Sequence, residues 1–242
     1  MSNIYIATRG AGDWRSRLGD PEKHWKRGKS AMETAVMWEN AAQEVSGLPK
    51  PVTEIFTTSE LGKPKLLLAV SEHKVPLEGQ GAASQCDVWA LIGTAVGTVS
   101  LSVEAKAGEP FGAGNEPLST WLVSGDSENS RKNRQKRWEN IRGNLPIGSY
   151  DDVPYQILQR CAAGVIEASR FGLKNAVFLV QSFGSPDSSF QMFSLFMNAL
   201  NLPAEKQKLH FAEVKMEKGT IKLGVGWVDC ELATDSQMAR VL

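Results

Sequence analysis

The sequence predicts an α/β protein in which helices flank a mixed central sheet. Residues 98–106 alternate strictly between apolar and polar side chains, as a half-buried strand does. Residues 30–46 carry apolar side chains at steps of three and four, which is typical of an amphipathic helix. Residues 175–181 form a short apolar run that fits a strand buried on both faces. Helices and strands in this order along one chain favour helices packed on a mixed sheet.

The first half of the chain is predicted to contain one long helix and four strands. Residues 3–8 form a short strand, followed by a polar, basic loop or broken helix. In the helix at residues 30–46, Ser30 is the expected N-cap and Glu33 follows at the spacing of a capping box. The apolar stripe of this helix consists of Ala31, Ala35, Trp38, Ala42 and Val45. Further strands are expected at residues 65–70, 86–92 and 98–106.

The second half of the chain adds helices, one buried strand and a final hairpin. A basic helix is expected at residues 131–142 and an apolar one at residues 152–171, with Pro154 in its first turn. The remaining elements are a strand at 175–181, a helix at 187–201, and a hairpin of strands 208–216 and 220–228 around Lys218 and Gly219. No linker divides the 242 residues, so a single domain, 1–242, is predicted.

Composition and charge limit the classes of protein to consider. Lys plus Arg and Asp plus Glu number 27 each, so the whole chain exerts no net attraction on nucleic acid or anionic membrane. The three cysteines are far apart and form no paired motif, which favours a reducing cytoplasm over a disulfide-bonded secreted protein. No apolar run reaches the roughly 18 residues of a membrane span, and the N-terminus does not resemble a signal peptide. We therefore expect a cytoplasmic protein with no membrane contact.

Three residues around the strand at 98–106 carry the chemistry. Glu104 and Lys106 lie two apart on this strand and leave it on one face, while Asp87 begins the preceding strand. A hairpin in suitable register brings Asp87 beside Glu104. Two converging carboxylates repel unless a cation neutralises them, and hard oxygen ligands select Mg²⁺ or Mn²⁺. The alternative is a solvated strand face with a cross-strand ion pair.

The ordered blocks of this sequence resemble the PD-(D/E)xK nuclease superfamily. The helix, three strands with Asp87 and Glu104-x-Lys106, helix and strand match its αβββαβ, restriction-endonuclease-like core at about residues 30–183. SAMETAVMWE, SQCDVWALI and VEAKAGEPFG, together with the segment from Tyr155 to Phe183, are similar to uncharacterised bacterial stand-alone proteins assigned to it. The helix and hairpin at 185–230 are additions to that core. The superfamily's proline is missing, since Ser84, Gln85 and Cys86 precede Asp87.

The resemblance implies a role for each site residue. Asp87 and Glu104 are expected to bind Mg²⁺ or Mn²⁺, and Lys106 to assist the attacking water. An acidic residue of the first helix often joins such sites; Glu39 is the best match and Glu33 the second. Polar residues of the helix after the Glu-x-Lys strand also contribute, a role that Gln156 and the Gln159–Arg160 pair fit by position. Ser84 and Gln85 are candidates for the pocket rim, and Glu109 ranks below Glu39 as a site residue.

A run of basic residues at 131–142 is the candidate surface for nucleic acid. Arg131, Arg134 and Arg137 are expected to contact phosphates together with Arg160, and Trp138 to stack on an unpaired base. Lys132, Lys136 and Arg142 belong to the same run. The alternative is an ordinary solvated helix face. Many related nucleases dimerise, so the end of the final hairpin is a candidate homodimer surface.

Three functions remain open on the sequence. The first is a metal-dependent nuclease that hydrolyses phosphodiester bonds of nucleic acid, with DNA preferred to RNA. The second is the same fold without catalysis, a module that binds nucleic acid or a protein partner. The third is an ion-paired scaffold without a ligand.

Overall fold

A six-stranded mixed sheet forms the centre of the protein. The computed structural model describes residues 8–217 and 219–242. The strands are β1 (Lys65–Val75), β2 (Ser84–Thr94), β3 (Gly97–Lys106), β4 (Asn175–Phe183), β5 (Leu209–Met216) and β6 (Gly219–Cys230). Their order across the sheet is β1-β2-β3-β4-β6-β5. The β3–β4 and β4–β6 pairs are parallel and the other pairs antiparallel, which confirms the predicted fold class.

Helices cover both faces of this sheet. They are α1 (Pro21–His24), α2 (Ser30–Asn40), α3 (Lys50–Thr57), α4 (Leu118–Val123), α5 (Glu128–Arg142), α6 (Tyr155–Arg170), α7 (Asp187–Ala199) and α8 (Asp235–Val241). Short 3-10 helices occupy Ala11–Arg17 and Ala41–Gln43. No helix within residues 8–217 and 219–242 is long and apolar enough to cross a membrane.

The alternation of β3 explains how two separate cores form. Its apolar side chains pack in one core with α2, α3 and α8. The other core is built by α5, α6 and α7 against β4 and β6. The polar side of β3 faces α6, where Ser100 donates to the carbonyl oxygen of Gly164 at 2.8 Å. Glu104 and Lys106 lie on this same side, because side chains two apart leave a strand on one face.

The long helix predicted from residue 30 is shorter than expected. It ends at Asn40, and Val45, assigned to its apolar stripe, is fully exposed. Ser30 is its first residue rather than its N-cap. The Glu33 carboxylate does not complete a capping box either; it is buried and accepts backbone N–H groups from Gly28 and Ala233 at 2.7 and 2.8 Å. Tertiary contacts therefore replace the predicted local capping.

Other boundaries differ in ways that have local causes. The helix predicted from residue 152 begins at Tyr155, because Pro154 is the N-cap and its ψ of 126° is not helical. β1 continues past the predicted residue 70 to Val75 through a polar stretch. The helices α3, α4 and α8 were not predicted. The strand expected at 3–8 lies outside the described residues except for Thr8, as does Lys218 of the hairpin turn.

Candidate functional site

A cavity of about 610 Å³ lies at the end of β3, beside the first residues of β2. The antiparallel register pairs Val88 with Val103, and continuing it by one residue sets Asp87 opposite Glu104. Directly opposed residues of antiparallel strands present their side chains on one face of the sheet. Asp87, Glu104 and Lys106 all line this cavity, so the three residues predicted to carry the chemistry lie together.

Glu104 is the most tightly bound of the three. Its side chain is 3% exposed, and both of its oxygens take part in ion pairs. Lys106 Nζ donates to Oε1 at 2.6 Å, and Arg160 Nε donates to Oε2 at 2.7 Å. Burial alone raises the pKa of a carboxyl, but here the two cations outweigh it and hold the pKa of Glu104 below its ordinary value.

Asp87 has a different environment, although it faces the same cavity. Its Oδ2 accepts the backbone N–H of Ala105 at 2.6 Å, which ties the start of β2 to the end of β3. Burial, and then the charge of Glu104, raise the pKa of Asp87 to about 7. The site thus contains one carboxylate that is neutralised by neighbours and one that is not.

The helix α6 delivers two side chains to the cavity. Gln156 Oε1 accepts from Lys106 Nζ at 3.1 Å, and Arg160, one turn farther on, reaches Glu104. The guanidinium of Arg160 also donates to Ser84 Oγ at 2.9 Å. Gln156 and Arg160 are therefore where the sequence predicted them, but Arg160 contacts the carboxylate of Glu104 rather than an exposed surface. Gln159, by contrast, contributes its carbonyl oxygen, which accepts from Ser84.

A close contact between α6 and β3 sets the distance of these side chains from the sheet. A Cβ placed on Gly164 would lie 2.5 Å from Ser102 Oγ and 3.1 Å from Ser102 Cβ. Only a residue without a side chain fits at this distance. The glycine of α6 lets the helix lie against the strand that carries Glu104.

Glu72 of β1 is a site residue that the sequence did not reveal. It is 8% exposed, lines the cavity, and accepts from the Gln85 side-chain amide at 2.7 Å. Burial, followed by the charge of Asp87, raises its pKa to about 8. Its φ of 54° lies in the left-handed region, which is uncommon for a non-glycine residue inside a strand. The polar run Ser71–Glu72–His73 broke the apolar pattern of β1, and no motif identified its central residue.

Glu109 joins the wall of the cavity to the start of α2. Its Oε1 accepts from the Ser30 N–H and hydroxyl, each at 3.1 Å, and its Oε2 accepts the N–H of Ala107 at 2.5 Å. Burial opposes ionisation here, but these donors lower the pKa of Glu109 below its ordinary value. The carboxylate acts as the cap that the sequence assigned to Ser30, and it holds the segment after β3 in place.

The acidic residues predicted on the first helix do not reach this cavity. Glu39 accepts from Trp14 Nε1 at 2.7 Å and from Thr8 Oγ1 at 2.6 Å, and it lines a separate cavity. Glu33 is buried, and its carboxylate accepts the backbone N–H groups of Gly28 and Ala233. Most of α2 packs on the face of the sheet opposite Glu104, which separates Glu39 from the site. Glu72 lines the cavity where Glu39 was expected.

Two of the six basic residues in the run of α5, Arg134 and Arg137, make contacts inside the protein. Arg137 is 7% exposed and donates from Nε to the Tyr155 hydroxyl at 2.7 Å. Arg134 lies over the ring of Trp121, 5.0 Å from its centroid. Trp138 is 9% exposed and packs edge-on against Tyr150, so it lies in the core rather than on the predicted base-stacking surface. The exposed basic residues of this helix are Arg131, Lys132, Lys136 and Arg142.

The donor set at the cavity suits a hard cation. Asp87 and Glu72 supply carboxyl oxygens at this cavity. Burial and the charge of Asp87 raise the pKa of Glu72, and burial and the charge of Glu104 raise the pKa of Asp87, so a divalent ion would relieve the repulsion. Among the described residues, no three His, Cys, Asp or Glu side chains are already arranged as a metal-binding group. The carboxylates present thus suit Mg²⁺ or Mn²⁺ by chemical type, and Asp87 and Glu104 are the residues that would hold such an ion, with Glu72 beside them.

Comparisons with known proteins identify a family without assigning an activity. Residues 7–232 match the family described as a domain of unknown function, DUF6946. The chain belongs to this family. Neither the curated proteins nor the solved structures yielded a match. The cavity and its residues therefore carry the argument about what this DUF6946 protein does.

Proposed function

We propose that this DUF6946 protein is a metal-dependent nuclease of the PD-(D/E)xK type, which hydrolyses phosphodiester bonds of nucleic acid. The observation that supports it is the convergence of Asp87, Glu104, Lys106 and Gln156 on one cavity. Carboxylates of adjacent strands with an ammonium group at their edge are a chemically sufficient set for this reaction. A bound Mg²⁺ or Mn²⁺ would polarise a phosphoryl oxygen and lower the pKa of water.

The side chains of the chain have separate tasks in this proposal. Asp87 and Glu104 would hold the cation. Lys106, whose ammonium lies 2.6 Å from Glu104 and 3.1 Å from Gln156, orients the attacking water and stabilises the charge that develops on the phosphate. Gln156 keeps the ammonium in position. Arg160 holds the second oxygen of Glu104 and fixes its orientation.

A second candidate function is supported by the ion pairs of Glu104. Lys106 and Arg160 already pair with both oxygens of Glu104, so the folded protein does not need a metal ion at Glu104 to be stable. Such a protein would be a binding module for nucleic acid or a protein partner. The internal use of Arg134 and Arg137 does not separate the two candidates, since it leaves exposed basic residues on α5 in either case.

The finer parts of the proposal concern substrate and setting. DNA is the proposed substrate, bound by Arg131, Lys132, Lys136 and Arg142 on α5 and by Lys23 at the rim of the cavity. The cytoplasm is the proposed compartment, in line with the scattered, buried cysteines, which are free in the structure. The proposal includes a homodimer, in which the hairpin of β5 and β6 would form the contact between the two copies.

Cleavage assays with two pairs of matched variants test the nuclease. The purified protein is incubated with double-stranded DNA, single-stranded DNA or RNA and Mg²⁺ or Mn²⁺. Asp87→Asn and Lys106→Ala are expected to lose at least about 100-fold in rate, because they remove a metal ligand and the charge beside it. Asp187→Asn and Lys174→Ala change exposed residues outside the cavity and should cut like the wild type.

The outcomes separate the two candidates. Site variants that cut as fast as the wild type would refute the assignment of chemistry to this cavity. A wild-type protein that binds no Mn²⁺ in calorimetry and cuts none of the substrates would favour the binding module.

A further inference from the structure

The ring of Phe111 lies against the ammonium group of Lys106. The Nζ atom lies over the ring, 5.0 Å from its centroid. An ammonium has three N–H donors, and two partners for them are Glu104 Oε1 at 2.6 Å and Gln156 Oε1 at 3.1 Å. Because the Lys106 side chain is only 7% exposed, bulk water does little to solvate the rest of its charge. The ring face gives this buried charge a third partner.

The position of the Phe111 ring is set by the core of the protein. The residue is 1% exposed and belongs to the core that α5, α6 and α7 build against β4 and β6. Its backbone N–H donates to Asn115 Oδ1 at 2.6 Å, which holds the segment after β3. A lysine, in contrast, carries its charge on a flexible four-carbon stem. The ring is therefore the fixed member of this pair, and it restricts where the ammonium of Lys106 can go.

A ring face differs from a carboxylate in what it does to the charge that it holds. The negative face of an aromatic ring attracts a cation within about 6 Å, and it does so more strongly where water is excluded. The ring itself is neutral, so it leaves the charge of the ammonium uncancelled, whereas Glu104 offsets that charge. A neutral partner can thus hold the ammonium in place and keep its charge for the substrate.

We propose that Phe111 is a positioning residue, whose ring holds the ammonium of Lys106 where it meets the phosphate in the transition state. This inference rests on the proposed nuclease function, in which Lys106 stabilises the charge that develops on the phosphate. A ring that is 1% exposed does not touch the substrate itself. Its contribution is therefore expected in kcat and not in KM.

Two replacements of Phe111 separate attraction from packing. Phe111→Leu removes the ring, whereas pentafluorophenylalanine at position 111 nearly keeps its shape and reverses the polarity of its face. With Mn²⁺ and double-stranded DNA, both are expected to lose about 10-fold in kcat, with KM changed by less than about twofold. Phe190→Leu is the matched control, because Lys206 Nζ lies 5.2 Å from the ring centroid of Phe190 and neither residue lines the cavity. This control should keep the wild-type kcat.

A nuclear magnetic resonance measurement tests the contact without any activity. Protein with isotope-labelled lysine gives a signal for the ε-methylene protons beside each ammonium, and the signal of Lys106 is assigned by its absence in Lys106→Ala. It should lie upfield of the signal of the exposed Lys174, because a ring current shields protons above the ring face. The upfield shift should disappear in Phe111→Leu and persist in Phe190→Leu.

The outcomes distinguish this inference from the nuclease function. A fluorinated protein that cuts as fast as the wild type would overturn the role of Phe111, and so would a wild-type Lys106 signal without an upfield shift; neither result touches the nuclease. A wild type that cuts no substrate would overturn the nuclease function and, with it, this role of Phe111. Should Phe111→Leu fail to fold, the fluorinated protein and the wild-type spectrum still decide the matter.

Discussion

Replacing Glu104 with Gln should destabilise the metal-free protein strongly. The substitution keeps the size of the side chain and removes its charge. Lys106 and Arg160, with side chains 7% and 13% exposed, would then be buried cations without their carboxylate. The asymmetry of buried ion pairs makes such a loss costly, because the desolvation of the remaining charges is no longer offset.

The size of this effect follows from the burial of the partners. Breaking a buried pair by removing one member costs about 3–5 kcal/mol. Arg160 retains some access to water and a bond to Ser84, and Asp87 stands near enough to compensate in part, so we expect the lower end, about 3 kcal/mol. For a domain of 242 residues this corresponds to a fall in Tm of roughly 6–12 °C.

The assay is urea unfolding at pH 7 with EDTA present, followed by calorimetry. Glu54→Gln is the control, because Glu54 forms an exposed pair with Lys50 at 3.9 Å, which contributes at most about 1 kcal/mol. A loss below about 1 kcal/mol for Glu104→Gln would refute the reasoning, because two buried ion pairs cannot vanish at so small a cost.

Three further predictions concern pH, packing and the basic helix. Asp87 and Glu72 have pKa values of about 7 and 8 in the fold, against roughly 4 when unfolded. At pH values between the unfolded and folded pKa values, the folded protein therefore binds more protons than the unfolded protein does. Metal-free stability should therefore fall as pH rises from roughly 4 to 8; a urea midpoint that rises over this range would contradict it. Gly164→Ala should cost about 2 kcal/mol, since its methyl group would overlap Ser102, and unchanged unfolding would show that α6 can move away. Trp138→Ala should lose about 3 kcal/mol yet bind DNA as the wild type does when folded, and a selective loss of DNA affinity in gel-shift assays would restore the stacking role.

The strand pattern around the site was predictable because it depends on one periodicity. The alternation of β3 set Glu104 and Lys106 on one face, and the short turn after β2 restricted the register that places Asp87 opposite Glu104. The helical period of α6 likewise placed Gln156 and Arg160 on a common side. Each of these relations is local, because it depends on a single strand, hairpin or helix and not on contacts with distant segments.

What could not be predicted depends on contacts between distant segments. Glu72 lies opposite Asp87 in the register of β1 on β2, and that register includes a shift between Leu66 and Leu68 that no periodic pattern specifies. Glu39 bonds to Trp14, 25 residues earlier in the chain, and Arg137 bonds to Tyr155, 18 residues later. A run of basic residues looks the same in the sequence whether it faces water or packs against an aromatic ring. The helix α3, by contrast, could have been predicted from the sequence, because its buried residues Val52, Ile55 and Phe56 have helical spacing.

The contact at Gly164 fixes the distance between α6 and the strand that carries Glu104. The helix packs against β3 at Gly164, one turn after Arg160, so this contact helps to set the position of Arg160 relative to Glu104. The exposed residues Asp20, Lys23 and His24 at the entrance of the cavity can therefore be exchanged while the reactive groups stay in register. Selectivity for different molecules could evolve at the entrance of the cavity on an unchanged base.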